Sequence, residues 1–392
     1  MFPLGLAFLA GQLDRFDVSA VDPSLDGTES VVRALESRRP DAVAVSLRNI
    51  DDSSWPRTWS YLDPFEEIIS CLYGFPGTVI VGGPGFSIYA REIMARHPRI
   101  DIGIAGEGEE ALPEVLSRIA AGSLPESALI EAPRADLASI SPPRYDILDL
   151  KRYEKGFGIG VQSRRGCAFG CAYCTYSFLG GSSFRMRPIR AVLGDIRAIS
   201  GIAAGSFQFV DSVFNAPAGY FRELVRALAD DPPGMSWGAW LDTSVTDEDL
   251  AVMAAAGAVK VDFSPDAITK KGMRSLGKRD DPGALWSRVR AARRSGLSVG
   301  VNFFVGNPGE GLSALLLKVA FMLRARLLLG WSRTFVNIGT VRVYAHSHLA
   351  SEMEAAGQAP GGFLPPVFLE PKGLSAYLFR SYRRLRDGRH EP

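Results

Sequence analysis

Arg164-Arg165-Gly166-Cys167-Ala168-Phe169-Gly170-Cys171-Ala172-Tyr173-Cys174 is the stretch whose reading decides the fold. It places three cysteines within eight residues, and only one other cysteine, Cys71, occurs among the 392 residues of the chain. The run follows the apolar, β-rich segment Ile159–Gln162, so it reads as a loop leaving the carboxyl end of a strand. Working outward, strand and helix patterns alternate on both sides of it.

Thiolates are the usual ligands of iron–sulfur clusters, and a cubane needs one ligand on each of four irons. Three cysteines leave the fourth iron open. A closed zinc site calls for a fourth Cys or His nearby, whereas His97, His346, His348 and His390 all lie far away in the sequence. A disulfide framework does not suit a chain with so large a core. Cys71 falls beside Ile68, Ile69 and Leu72 on an apolar helix face and reads as a small core residue.

With 46% hydrophobic and 22% charged residues the composition is that of a packed globular protein. A net charge of +1 gives no basic surface for nucleic acid or an anionic membrane. Met1–Ala10 lacks the basic start and cleavage site of a leader. In Leu312–Trp331 the charges Lys318, Arg324 and Arg326 argue for an amphipathic helix rather than a membrane span. A cytoplasmic enzyme is the expectation.

Two α/β blocks are predicted. In the first (1–121), strands at Val18–Val21, Ala42–Leu47, Thr78–Val81 and Ile102–Ala105 alternate with helices such as Ser30–Ser37 and Ala90–Arg96. Their continuous apolar runs suit a parallel, doubly wound sheet with ligands at its carboxyl edge. A loop-rich linker covers 122–156. The second block (157–348) repeats strand then helix at Ile159–Gln162, Phe207–Val210, Ser236–Trp240, Val259–Phe263, Val299–Val305 and Val336–Val343. Six such units predict a partial (βα)6 barrel of TIM type, active at the strands' carboxyl ends. A tail (349–392) holds a loop at 361–366 and a basic helix at Leu374–Arg386.

The Cys-x3-Cys-x2-Cys spacing, with an aromatic before the last Cys, resembles the signature of radical S-adenosylmethionine (SAM) enzymes. In that family the open iron chelates SAM, which is then cleaved to a 5′-deoxyadenosyl radical. The resemblance extends over nearly all of residues 159–345. It implies that Cys167, Cys171 and Cys174 hold a [4Fe-4S] cluster and that Tyr173 packs near the adenine. Asp211, in Val210–Phe214, either accepts the SAM ammonium or caps its loop. Ser264 and Asp266, ending the fourth strand, are implied to face SAM. Leu276-Gly277-Lys278 resembles a helix end common in the subgroup. Val305-Gly306-Asn307-Pro308-Gly309-Glu310 resembles the family's Gly-x-Pro-Gly-Glu turn, where Gly306 and Gly309 let the backbone approach a ligand and Glu310 suits a helix start. His346 and His348 replace the usual Arg-x-Tyr-Pro-x-Thr ending after Arg342 and Tyr344. They read as solvent-exposed or turn histidines, or else as a substrate-side acid/base pair or metal site.

The preceding block resembles the cobalamin-binding domain of cobalamin-dependent radical SAM enzymes, many of them methyltransferases. The matching loops are Ser46–Asp51, Gly82–Ser87 and Gly106–Glu109. The resemblance implies cobalamin contacts from Arg48, Asn49, Gly82, Gly83, Gly85, Ser87, Gly106, Glu107 and Gly108. The Asp-x-His-x-x-Gly motif that supplies a cobalt ligand elsewhere is absent, leaving Arg48 or Asn49 for the lower face. A first strand usual in relatives is also missing before Phe2–Leu6, which implies an upstream start or an incomplete sheet with an open edge. The implied reaction is methyl transfer from SAM by way of cobalamin to an unactivated carbon or phosphorus of a small molecule, with flavodoxin or ferredoxin as electron donor. A cobalamin-containing radical cyclase and an inactive scaffold are the alternatives. Methylthiotransferases need a second cluster with three more cysteines, and beyond the triad only Cys71 remains.

Overall fold

The structure is a computed structural model that describes residues 1–359, 362–364 and 366–387, with the backbone alone for 384–387. Gly361 and Pro365 of the expected tail loop, and His390, lie outside the described residues. The chain forms two compact units. Unit 1 takes Met1–Asp52, Trp59–Val161 and Arg185–Ala204; unit 2 takes Ser53–Thr58, Gln162–Phe184 and the chain from Gly205 onward. The expected linker therefore belongs to unit 1, and each unit includes a segment from beyond the boundary that periodicity suggests. Long-range packing sets that membership, and local pattern does not encode it.

Unit 1 contains helices α1 (Leu4–Gly11), α2 (Pro23–Asp26), α3 (Glu29–Arg38), α4 (Leu62–Cys71), α5 (Pro84–Ile88), α6 (Ala90–Arg96) and α7 (Gly108–Ala120). Its strands β1 (Ala42–Ser46), β2 (Thr78–Gly82), β3 (Ile102–Ala105) and β4 (Leu129–Glu131) pair in parallel in that order. Ile80, Ile102 and Ile104 on one face pack with Leu13 and with Ala111, Leu112 and Val115 of α7. On the other face Gly103 lies beneath Phe86 of α5 and Met94 of α6. Helices thus cover both faces, as continuous apolar strands require. Val18–Val21 forms no strand: Val18 packs its side chain against the same core from a coil segment. Cys71 is half-buried at the end of α4, whose core contacts come from Phe65 and Ile69. The unit is completed by β5 (Ile159–Val161), β7 (Arg185–Met186) and α9 (Ile189–Ile202), which buries Val192, Ile196 and Ile199.

Unit 2 opens with β6 (Arg164–Arg165) and α8 (Tyr176–Gly180). Strands β8 (Ser206–Phe209), β9 (Ser236–Leu241), β10 (Ala258–Asp266), β11 (Ser298–Val305) and β12 (Thr334–Thr340) are parallel neighbours in sequence order. Between them run α10 (Ala218–Asp230), α11 (Asp247–Ala255), α12 (Lys270–Ser275), α13 (Pro282–Arg294) and α14 (Leu312–Leu329). The chain continues through β13 (Arg342–Val343), α15 (His348–Ala355), β14 (Val367–Phe368) and α16 (Gly373–Asp387). Helix α10 shows why these segments are helical: Phe221, Leu224, Val225 and Leu228 recur at i, i+3, i+4 and i+7 and are all buried. Thr246 and Asp249 start α11 with a reciprocal capping box.

Two expectations change here. β10 runs on through Ser264 and Pro265 to Asp266, with a register shift after Phe263 and a left-handed Asp266 (φ 63°). In α14, Lys318 is buried, Arg324 lies over Trp286 and Arg326 over Trp331. The side exposed instead carries Leu316, Leu317, Leu323 and Leu327. Among the described residues no helix is long and apolar enough to cross a membrane.

Candidate functional site

The cysteine loop is held by backbone contacts from three other segments of unit 2. Cys167 N–H donates to Gly181 O (2.9 Å), Ala172 N–H to Leu276 O (3.0 Å), and Ala172 O accepts from Leu349 N–H (2.8 Å). Two glycines make this approach possible. Gly166 (φ 75°) lies against the carbonyls of Gly180, Gly181 and Ser183, and a Cβ there would be 2.1 Å from Ser183 O. Gly277 (φ 65°) lies against Gly170, with a Cβ placed 2.4 Å from its carbonyl oxygen. The Leu276-Gly277-Lys278 turn is therefore a clamp on the loop.

Cys167 is buried and Cys171 and Cys174 are half-buried. Burial pushes the Cys171 thiol up and that of Cys174 up to about 12. Cys174 Sγ accepts from Tyr176 N–H at 3.5 Å. Among the described residues no three His, Cys, Asp or Glu side chains converge as a single metal ion requires. Three thiols on one clamped loop are the donor set of an open-iron cluster.

Beyond the loop, Tyr173 and Lys278 meet on Asp266. Tyr173 Oη donates to Asp266 Oδ2, and Lys278 Nζ lies 2.7 Å from the same oxygen. Burial raises Asp266, opposed by the charge of Lys278. Burial works against the Lys278 ammonium too, but Asp266 and Cys171 outweigh it and leave the group above its ordinary value. Asp266 Oδ1 and Asn307 Oδ1 are both buried without a hydrogen-bond partner among the described residues. Asn307 Nδ2 meanwhile donates to Asp266 O and to Glu310 Oε2 (3.0 Å each). Two unsatisfied acceptors at the carboxyl ends of β10 and β11 fit a ligand rich in donors, and SAM offers an ammonium, ribose hydroxyls and an adenine amine. Ser264 Oγ is 3.4 Å from Asn302 Nδ2 on the neighbouring strand. Tyr173 also stands edge-on to Phe304 (5.3 Å).

Several sequence expectations are corrected. Asp211 is turned inward: Oδ1 accepts from Ser163 N–H (2.9 Å) and Arg164 N–H (3.1 Å), and Oδ2 from Ser163 Oγ–H (2.6 Å). It braces the strand leading into the cysteine loop, which is the loop-capping alternative. The close approach at Gly306 and Gly309 is to protein: Gly306 abuts Leu369 and Pro371, and Gly309 the Lys271 side chain. Glu310 does not start its own helix. Its Oε1 accepts from Thr269 Oγ1 (2.9 Å) and its Oε2 pairs with buried Lys318. His346, in a turn, stacks on Phe178 (4.0 Å between ring centroids), and His348, the first residue of α15, pairs with Glu352 (3.3 Å); both are exposed. The motif spacing marks the glycines beside Lys278 and Asn307 rather than these two side chains, which the fold brings to Asp266. The signal was available, since each directly follows a helix or strand end that carries the motif glycine.

In unit 1 the loops after β1, β2 and β3 come together. Leu47 O accepts from Gly85 N–H (2.9 Å) and Phe86 N–H (3.2 Å). Ser87 Oγ donates to Gly83 O and accepts from Gly106 N–H, both at 2.9 Å. Gly83 and Gly85 are close against Leu47 and Arg48, Gly82 against Ile104, and Gly108 against Leu9. These glycines thus serve contacts between protein segments, while Arg48, Asn49 and Gly106 stay exposed on the carboxyl edge. Glu107 is engaged by Arg185 and by Ala135 N–H (3.1 Å), so its carboxylate is structural.

One parallel α/β unit of the chain presents an exposed edge of converging loops, and a second bears a clamped three-thiol loop. Comparison with known proteins makes this specific. Residues 1–116 match the B12 binding domain and residues 161–316 the radical SAM superfamily. The chain is 23% identical over 332 residues to an uncharacterized methyltransferase of Pyrococcus horikoshii, covering 79% of this chain and 70% of that one. It is 24% identical over 326 residues to the hopanoid C-3 methylase of Methylococcus capsulatus, covering 76% and 60%. The solved structure of the radical SAM methyltransferase TsrM from Kitasatospora setae superposes with a TM-score of 0.79, at 21% identity, over 92% of this chain and 74% of that one. At that identity the likeness shows the fold. The chain thus carries a B12-binding domain followed by a radical SAM domain, the domains that take cobalamin and, with SAM, a [4Fe-4S] cluster.

Proposed function

We propose that this protein transfers a methyl group from SAM, by way of cobalamin, to an unactivated carbon or phosphorus of a small molecule. The observation that carries the reading is the pair of buried, unsatisfied acceptors, Asp266 Oδ1 and Asn307 Oδ1, at the strand ends beside the three-thiol loop. It stands in a chain whose first domain is a B12-binding domain and whose relatives named above are methyltransferases. When bound, the cofactors supply the radical and methyl-carrying chemistry.

The protein's own part is positional. Cys167, Cys171 and Cys174 hold the cluster on a loop fixed at three points, which limits the cost of placing it. Tyr173 and Lys278 engage one oxygen of Asp266 and leave the other to a cationic or hydroxylic donor. In unit 1, Arg48, Asn49, Ser87 and Gly106 form the edge proposed for the corrin. Flavodoxin or ferredoxin is the proposed electron source, and the cytoplasm the proposed location.

The test uses anaerobically reconstituted protein with cobalamin, a low-potential reductant and SAM carrying a deuterated methyl group, incubated with the small-molecule fraction of the native host. Label appearing in a small-molecule product supports methyl transfer. SAM cleavage with products that gain no methyl would instead establish the radical cyclase reading. No SAM cleavage by fully loaded protein would leave only the scaffold reading.

A further inference from the structure

Arg164 is the feature of unit 2 that the site as described does not use. Its side chain is 2% exposed, yet Nε, Nη1 and Nη2 all lack a hydrogen-bond partner among the described residues. A guanidinium carries five N–H donors, and leaving them buried and unmade costs more than almost any other side-chain arrangement. The nearby Asp211 acts on the guanidinium through its charge, while its hydrogen bonds go to Ser163 and to the backbone N–H of Arg164. The guanidinium is fixed over the Phe184 ring, 4.4 Å from its centroid. Phe184 in turn meets Phe169, which lies between Cys167 and Cys171, edge-to-face at 5.8 Å. The aromatic pair ties the guanidinium to the cysteine loop, and after Asp211 the Cys167 thiol is the next charge that acts on it. The SAM-side acceptors, Asp266 and Asn307, belong instead with Lys278, beside Cys171.

We infer that Arg164 is a positioning residue for the iron–sulfur cluster, donating its unpartnered N–H groups to the anionic sulfur face on the Cys167 side. The inference rests on the cluster being bound by the three cysteines. Each electron added to a cluster raises its negative charge, so a buried cation with N–H donors favours the reduced state and lifts the reduction potential.

The test compares wild-type, Arg164→Lys and Arg164→Met proteins after reconstitution, with iron and sulfide content matched. Potentiometric titration followed by electron paramagnetic resonance is run first without SAM and then with it. The expected result without SAM is a lower midpoint potential in Arg164→Met, seen as a several-fold smaller reduced fraction at a fixed applied potential. Arg164→Lys, which keeps the charge but loses the fork, falls between the two. An unchanged SAM-free potential and spectrum in a folded, fully loaded Arg164→Met protein overturns the inference. A change confined to the SAM-bound spectrum also overturns it, and reassigns Arg164 to the SAM carboxylate. If the Met variant does not fold, Arg164→Lys decides: a lowered potential supports the role, and a wild-type potential refutes it. Failure to bind iron at all in wild-type protein would sink the cluster reading itself, which is a distinguishable outcome.

Discussion

Gly277→Ala should damage the iron–sulfur loop although the residue lies more than a hundred positions away from it. The added Cβ would stand 2.4 Å from Gly170 O, where ordinary contact needs about 3.5 Å, so one backbone must retreat by about 1 Å. Backbone at φ 65° costs a non-glycine residue about 1–2 kcal/mol, and overpacking adds about 1–3 kcal/mol. The expected loss is therefore about 2–5 kcal/mol in equilibrium denaturation of the apoprotein. Because the displaced carbonyl adjoins Cys171, iron and sulfide bound per chain after reconstitution should also fall. Gly170→Ala is the control: it lies inside the loop, but its Cβ would meet nothing within 4 Å. It should change stability by less than about 1 kcal/mol and leave loading intact. The reasoning is refuted if Gly277→Ala keeps wild-type stability and iron content, or if Gly170→Ala proves equally harmful.

Three further outcomes are expected. Lys318→Met strands the Glu310 carboxylate in a pair whose side chains are 1% and 2% exposed, and should cost about 3–5 kcal/mol in urea unfolding; full recovery of stability in Glu310→Gln/Lys318→Met would show that the stranded charge causes the loss. Burial raises Glu310 while Lys318 lowers it further, so its folded value lies below 4.5; the stabilisation it contributes is present above that value and should disappear as pH falls through and below it, which acid titration of wild-type against Glu310→Gln would reveal. Ser87→Ala removes the hydroxyl joining Gly83 O to Gly106 N, and should weaken cobalamin binding about tenfold in an absorbance titration, by analogy with the about 1–2 kcal/mol of such hydrogen bonds; wild-type affinity would remove Ser87 from the corrin edge.

Much of this protein is legible from sequence because its signals are local. Three cysteines within eight residues define a donor set whatever surrounds them, and most apolar runs of four to seven residues emerge as the parallel strands they suggest. Asp266 illustrates the limit. Its place in the Phe263-Ser264-Pro265-Asp266 run pointed to a ligand, but only the register shift and the left-handed backbone turn it onto Tyr173 and Lys278. Asp211 shows the reverse case: a carboxylate binds whichever donors the fold brings to it, and here those include Ser163 and the Arg164 backbone, as the loop-capping alternative expects. The glycine motifs mark close approach correctly, yet not what approaches: at Gly277, Gly306 and Gly83 it is another protein segment. Sequence alone thus determined the elements, their order and the thiol ligands, which depend on short-range periodicity and spacing. Tertiary structure decided which side chains face a ligand and which face each other, because that depends on contacts between residues tens to hundreds of positions apart.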